Sequence, residues 1–104
     1  MAFVALANLA ELYDGYVKAV RVQGYALLLI RENGQTFIIE DRCPHMDAPL
    51  ASGIIADDSI TCRAHGIRFN LMTGRAEGAL ASSLDCLKRY PVVYEGNKIG
   101  LDLP

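Results

Sequence analysis

Short apolar stretches separated by turn residues run through the whole chain, a pattern typical of β-strands. Residues 25–31, YALLLIR, are too continuously apolar for an exposed edge and predict a buried strand. Residues 9–14 allow at most one helical turn. The pattern predicts strands over residues 2–6, 16–22, 25–31, 35–40, 54–55, 59–61, 67–69, 86–94 and 98–102.

Turn signals join these strands into hairpins. Asn33-Gly34 predicts a tight turn, because such turns need positive φ at both central residues. Asp57-Asp58 predicts a second hairpin, which would bring Cys62 back toward the segment around Cys43. Residues 75–83 show no periodicity and predict a loop. The frequent short strands predict an all-β fold, either an antiparallel β-sandwich or a partly open barrel.

Composition limits both the size and the partners of the protein. The 104 residues, 52% of them hydrophobic, suit a single domain over residues 1–104 with one modest core. Ten Lys and Arg against 12 Asp and Glu give a net charge of -2 without a basic run, which argues against nucleic-acid binding. Asn8 and Glu11 interrupt the apolar N-terminus, and no cationic residue precedes it, so we expect neither a signal peptide nor a membrane anchor.

The candidate chemistry lies in two short segments that pair cysteine with histidine. Cys43 is followed by His45 and Cys62 by His65, and these are the only two histidines of the chain. Thiolate and imidazole together select zinc, copper or iron–sulfur centres. The mixed pairs fit poorly with the spacing of a Cys2His2 zinc site. They fit a two-iron, two-sulfide cluster in which two cysteines bind one iron and two histidines the other; a structural zinc or binding module stays open as an alternative.

The same residues resemble a known family. C-P-H at 43–45, C-R-A-H-G at 62–66 and L-x-x-Y-P-V at 87–92 are similar to the motifs of Rieske iron–sulfur proteins. Within that family, the chain resembles the ferredoxins of aromatic-ring-hydroxylating dioxygenases. The resemblance implies a Rieske-like sandwich in which two loops form a small cluster-binding subdomain, about residues 41–70. It also implies one [2Fe-2S] cluster per chain, held by Cys43, His45, Cys62 and His65.

The resemblance further implies an electron carrier and not an enzyme. Such a protein takes electrons from a flavin-dependent NAD(P)H reductase and passes them to a terminal oxygenase, and we expect a cytoplasmic monomer without membrane contact. Both histidines are already assigned and no dinucleotide fingerprint is present, so the chain shows no second chemistry. One alternative is the small Rieske-like subunit of an assimilatory nitrite reductase, which is similar in length.

Two positions near the second ligand pair bear on the reduction potential. High-potential members of the family carry a serine and a tyrosine that donate hydrogen bonds to the cluster, where this chain has Ile67 and Phe69. Without those donors we expect a potential near the low end of the Rieske range, roughly -150 mV. Arg42 and Arg63 adjoin the cysteines and would favour the reduced, more negative state slightly.

Three apolar residues near the ligand pairs allow two interpretations, and the third cysteine is interpreted separately. Met46, Leu50 and Ile67 could belong to the core, or they could form an apolar collar around the site where a redox partner docks. Cys86 is the third cysteine, so no disulfide framework is available, which suits a reducing compartment. We interpret Cys86 as a small buried hydrophobe within the predicted strand 86–94.

Overall fold

The computed structural model describes residues 2–44, 49–63, 66–78 and 86–104. Within these ranges the regular structure is almost entirely β, with one 3-10 helix over Leu9–Glu11, and no helix there is long and apolar enough to cross a membrane. The strands are β1 Ala2–Asn8, β2 Val17–Val22, β3 Tyr25–Glu32, β4 Gln35–Glu40, β5 Ile54–Ala56, β6 Ser59–Thr61, β7 Arg68–Asn70, β8 Arg89–Tyr90, β9 Val93–Glu95 and β10 Lys98–Leu103.

The strands form three antiparallel sheets that are not closed into a barrel. Their strand orders are β1-β10-β9, β2-β3-β4-β8 and β5-β6-β7. Both predicted hairpin turns are confirmed, with φ of 51° and 75° at Asn33 and Gly34 and of 53° and 59° at Asp57 and Asp58. The all-β, antiparallel fold class predicted from the sequence is therefore confirmed.

The sheet β2-β3-β4-β8, which we call the middle sheet, is buried on both faces at β3 and β4. Successive side chains of a strand point to opposite faces, so Leu28 and Ile30 enter one core while Leu27 and Leu29 enter another. This explains the unbroken apolar run of residues 25–31. We call the first the site-side core: Leu28, Ile30, Phe37, Ile39, Cys43, Leu50, Ile60, Cys62, Phe69, Leu71, Ala76 and Leu87. We call the second the distal core: Leu6, Ala7, Leu27, Leu29, Ile38, Ile99, Leu101 and Leu103.

The predicted strand over residues 86–94 is wrong. It is two short strands in different sheets, since β8 pairs with β4 and β9 pairs with β10. Pro91 has no N–H to donate to a neighbouring strand, and the chain leaves the sheet of β4 and β8 at that residue. Residues 86–88 precede both strands, and Cys86 is exposed, contrary to its interpretation as a buried hydrophobe.

Gly100 lies where β1 and β10 approach each other most closely. The register of the two strands shifts between Ala5 and Ala7. A Cβ at position 100 would overlap the carbonyl oxygen of Val4 and come within 3.0 Å of the Cα atom of Ala5. Both obstacles are main-chain atoms, which cannot rotate away as a side chain could. Glycine at this position is therefore a packing requirement of the sheet.

We expect Gly100→Ala to lower the free energy of unfolding by about 2–3 kcal/mol, the cost typical of overpacking in a tight interior. Urea unfolding measures the change. Asp102→Ala, at an exposed position of the same strand, is the matched control and should change stability by less than about 0.5 kcal/mol. Equal stability of the Gly100→Ala variant and the wild type would contradict the proposed close approach.

Candidate metal centre

Hydrogen bonds carry the middle sheet up to the first cysteine. Beyond the end of β4, the N–H of Asp41 donates to the carbonyl of Ala26 at 2.9 Å. On the other side, the N–H of Glu40 donates to the carbonyl of Lys88 at 2.9 Å. Cys43 lies two residues beyond Asp41 and is fully buried. The first thiol is therefore held at the end of a strand that is paired on both sides.

The Asp41 carboxylate closes the segment that begins at this strand end. Its Oδ1 accepts a hydrogen bond from the N–H of Leu50 at 2.7 Å, which ties residue 41 to residue 50. Leu50 is fully buried in the site-side core, so the collar interpretation fails for this residue. Sequence analysis missed Asp41. Its signal was only the general tendency of aspartate side chains to accept hydrogen bonds from nearby main chain in turns.

The second cysteine directly follows β6 and is held by its own main-chain ring. The N–H of Cys62 donates to the carbonyl of Ile67 at 2.9 Å, and the N–H of Gly66 donates to the carbonyl of Cys62 at 2.7 Å. Gly66 has a φ of +67°, a conformation that glycine adopts without strain. Cys62 is 1% exposed, and Ile67 is partly buried against the site-side core.

The main chain brings the two cysteine segments close together. A Cβ added to Gly53 would lie 2.8 Å from the carbonyl oxygen of Thr61, the residue just before Cys62. The Nε of Arg63 donates a hydrogen bond to the carbonyl oxygen of Ser52. The end of the first segment thus contacts both sides of the second cysteine. Cys43 and Cys62 accordingly lie in one apolar core although eighteen residues separate them in sequence.

Positive charge flanks both cysteines. Arg42 is about half exposed, and its Nε lies 3.2 Å from Oε1 of Glu40. Arg63 is exposed. Glu40 offsets part of the charge of Arg42, whereas the guanidinium of Arg63 donates to a neutral main-chain carbonyl. Solvent screening keeps the effect of either charge modest.

The two thiols suit a soft metal centre. Both are at most 1% exposed, and aliphatic and aromatic side chains surround them. Such surroundings exclude water and competing hard ligands while leaving sulfur as the donor. The structure thus brings together two of the four predicted ligands. His45 and His65 lie outside the described residues, as do Met46 and residues 79–83 of the predicted loop.

The closing motif at residues 87–92 divides between the two cores. Leu87 belongs to the site-side core, together with the cysteines. Tyr90 packs against the distal core, and its ring meets that of Tyr25 edge-on at 6.3 Å. Burial raises the pKa of Tyr90, and the nearby carboxylate of Glu40 adds to that rise. Leu87 alone therefore links this motif to the apolar surroundings of the thiols.

Comparisons with known proteins agree with this arrangement. A family model described as the Rieske [2Fe-2S] domain matches residues 2–91. Human apoptosis-inducing factor 3 is 30% identical over 95 residues, which are 91% of this chain but only 15% of that protein. The ferredoxin component of the naphthalene 1,2-dioxygenase system of Pseudomonas aeruginosa is 34% identical over 95 residues, covering 91% of this chain and 89% of the relative.

Solved structures show the same fold over the full length. A ferredoxin of Sphingomonas yanoikuyae B1 superposes with a TM-score of 0.86 at 29% identity, covering 99% of this chain and 100% of the other. A chain from the complex of reduced oxygenase and oxidized ferredoxin in carbazole 1,9a-dioxygenase superposes with a TM-score of 0.83 at 25% identity. That match covers 95% of this chain and 100% of the other.

Proposed function

The chain belongs to the Rieske [2Fe-2S] domain family, and on that basis we propose that it is a one-electron carrier. The family and its ferredoxin relatives assign it one Rieske-type [2Fe-2S] cluster. When bound, that cluster supplies reversible one-electron chemistry at reduction potentials of roughly -150 to +300 mV. These potentials are higher than those of clusters with four thiolates, because two neutral histidine ligands leave the oxidised cluster with less negative charge. The burial of Cys43 and Cys62 in one core is the observation that carries the proposal.

The proposed ligands are Cys43 and Cys62 on one iron and His45 and His65 on the other. The two cysteines supply buried thiolates from adjoining segments, which is what a shared iron requires. The histidines follow them at offsets of two and three residues. We further propose that residues 1–104 form a single domain, in which residues of about 41–70 make up the cluster-binding subdomain.

We propose that the electron comes from a flavin-dependent NAD(P)H reductase and goes to a terminal ring-hydroxylating oxygenase. The similarity to the ferredoxin component of a naphthalene dioxygenase system supports this assignment, as does the similarity to the carbazole dioxygenase complex. A freely exchanging monomer in the cytoplasm suits such a shuttle. A fixed small subunit of nitrite reductase would instead stay bound to its enzyme throughout purification.

The ligand set predicts which residues the cofactor needs. Cys62→Ala and His65→Ala should each purify colourless or with little cofactor, since either change removes one of four iron ligands. Iron and sulfide content and visible absorbance measure the loss. Cys86→Ala is the matched control, because Cys86 is exposed and is not one of the proposed ligands. A His65→Ala protein with normal colour and iron content would remove His65 from the ligand set.

The absence of side-chain donors at residues 67 and 69 predicts how the potential can be raised. Phe69 lies in the same core as both cysteines and is fully buried. The double variant Ile67→Ser, Phe69→Tyr should therefore raise the reduction potential. A hydrogen bond that stabilises the reduced site by about 1.4 kcal/mol more than the oxidised site raises the potential of a one-electron couple by about 59 mV. Voltammetry gives the value.

Phe37→Tyr provides the matched control for that double variant. Phe37 belongs to the site-side core but lies on β4, in a different sheet from β6 and β7, the strands on either side of Cys62. Its substitution adds a hydroxyl to the same core and should leave the potential unchanged. An unchanged potential in the double variant would show that neither new hydroxyl reaches a sulfur atom.

Electron transfer itself can be tested with purified partners. The protein, mixed with the flavin-dependent reductase of a naphthalene dioxygenase system and half an equivalent of NADH, should lose visible absorbance as it is reduced, and no NADH then remains to reduce it again. Subsequent addition of the oxidised terminal oxygenase should restore that absorbance within the turnover time of the system. The Cys62→Ala variant should transfer no electrons. Reduction without reoxidation by any ring-hydroxylating oxygenase, together with tight co-purification with a nitrite reductase, would favour the fixed-subunit alternative.

A further inference from the structure

An exposed arginine side chain connects the two cysteine segments. Arg63 directly follows Cys62, and its Nε donates to the main-chain carbonyl of Ser52. Ser52 lies in the turn that ends the first segment, where the N–H of Gly53 donates to the carbonyl of Leu50 at 2.8 Å. Among the described residues of the two segments, the main-chain bonds donated by Gly53 and Gly66 each stay within one segment, whereas the Arg63 bond runs from one segment to the other.

The Ser52 carbonyl is a well-anchored acceptor. Leu50 is fixed by burial and by the Asp41 carboxylate. Gly53 is pressed against the carbonyl of Thr61. A donor that reaches this turn therefore binds a part of the first segment that is anchored on both sides. Arginine suits the task, because its guanidinium stays charged and forms a rigid, planar set of donors.

We propose that Arg63 is a positioning residue that holds the second cysteine segment against the first and thereby retains the iron–sulfur cluster. This inference rests on the proposed function. The tether joins the segments that follow β4 and β6, two residues beyond the Ile54–Thr61 pair at the end of the β5–β6 ladder. It therefore extends that ladder toward Cys62, and we expect it to fix the separation of Cys43 and Cys62. The fixed guanidinium also places a positive charge beside Cys62, which favours the reduced state of the site.

Three variants separate the tether from the charge. Arg63→Met keeps the aliphatic stem but removes both the donor and the charge, and Arg63→Lys keeps the charge on a flexible single donor. Arg75→Met removes an exposed arginine that follows β7 and is the matched control. For each protein, purified with its cluster, we would measure the rate of bleaching in excess iron chelator and the reduction potential at low and high salt.

We expect Arg63→Met to bleach about fivefold faster than the wild type, a change typical of losing one exposed charge-assisted hydrogen bond. Arg63→Lys should bleach at an intermediate rate, and Arg75→Met at the wild-type rate. The potential should fall in Arg63→Met and not in Arg63→Lys, and the fall should shrink at high salt because ions screen the charge.

Two results would overturn the inference. Bleaching of Arg63→Met at the wild-type rate would show that the tether does not retain the cluster. Equal acceleration in Arg63→Met and Arg75→Met would assign the effect to general loss of surface charge. A wild-type protein that holds no cluster would be a different failure, since it would refute the proposed function before the variants are compared.

Discussion

The burial of two thiols in one apolar core is the constraint on which the rest of the molecule depends. Cys43 and Cys62 occupy the core between the middle sheet and the small sheet of β5, β6 and β7. Neither cysteine could reach that core alone. The middle sheet delivers the first through continuous pairing of β4, and the hairpin of β5 and β6 returns the chain to deliver the second.

The opposite face of the middle sheet packs into a separate core that contains neither cysteine. Leu27 and Leu29 pack there against residues of β1 and β10 in the distal core. The distal core therefore adds stability to the domain without containing either cysteine. This division leaves Ile67 and Phe69 on the side of the cysteines, where we expect their lack of side-chain donors to keep the reduction potential low.

The hydrophobic pattern predicted most of the fold because the pattern and the packing share one cause. The apolar run of residues 25–31 marks a strand buried on both faces, and Asn33-Gly34 marks its turn through backbone conformation alone. The prediction of one strand over residues 86–94 failed because apolar content does not reveal a change of sheet. Pro91 was the one signal in the sequence for a break in this strand. Cys86 was misjudged for the same reason, as its burial was inferred from that strand.

The candidate site was predictable in its chemistry but not in its supports. Residue type and spacing identified Cys43 and Cys62 as a pair, since few centres combine thiolate and imidazole in this way. The hydrogen bonds from Leu50 to Asp41 and from Arg63 to Ser52 depend on where the main chain folds back. Polar residues that accept or donate across a turn carry no periodic signal, so only three-dimensional structure reveals them.

The reduction potential and its pH dependence, measured by voltammetry on the purified protein, test the central claim most directly. Histidine ligation by His45 and His65 predicts one reversible one-electron wave near roughly -150 mV. That wave should be flat around neutral pH and fall in alkali, where an imidazole that faces water loses its proton. A wave that stays constant into strong alkali, or no wave at all, would contradict a cluster held by two cysteines and two histidines.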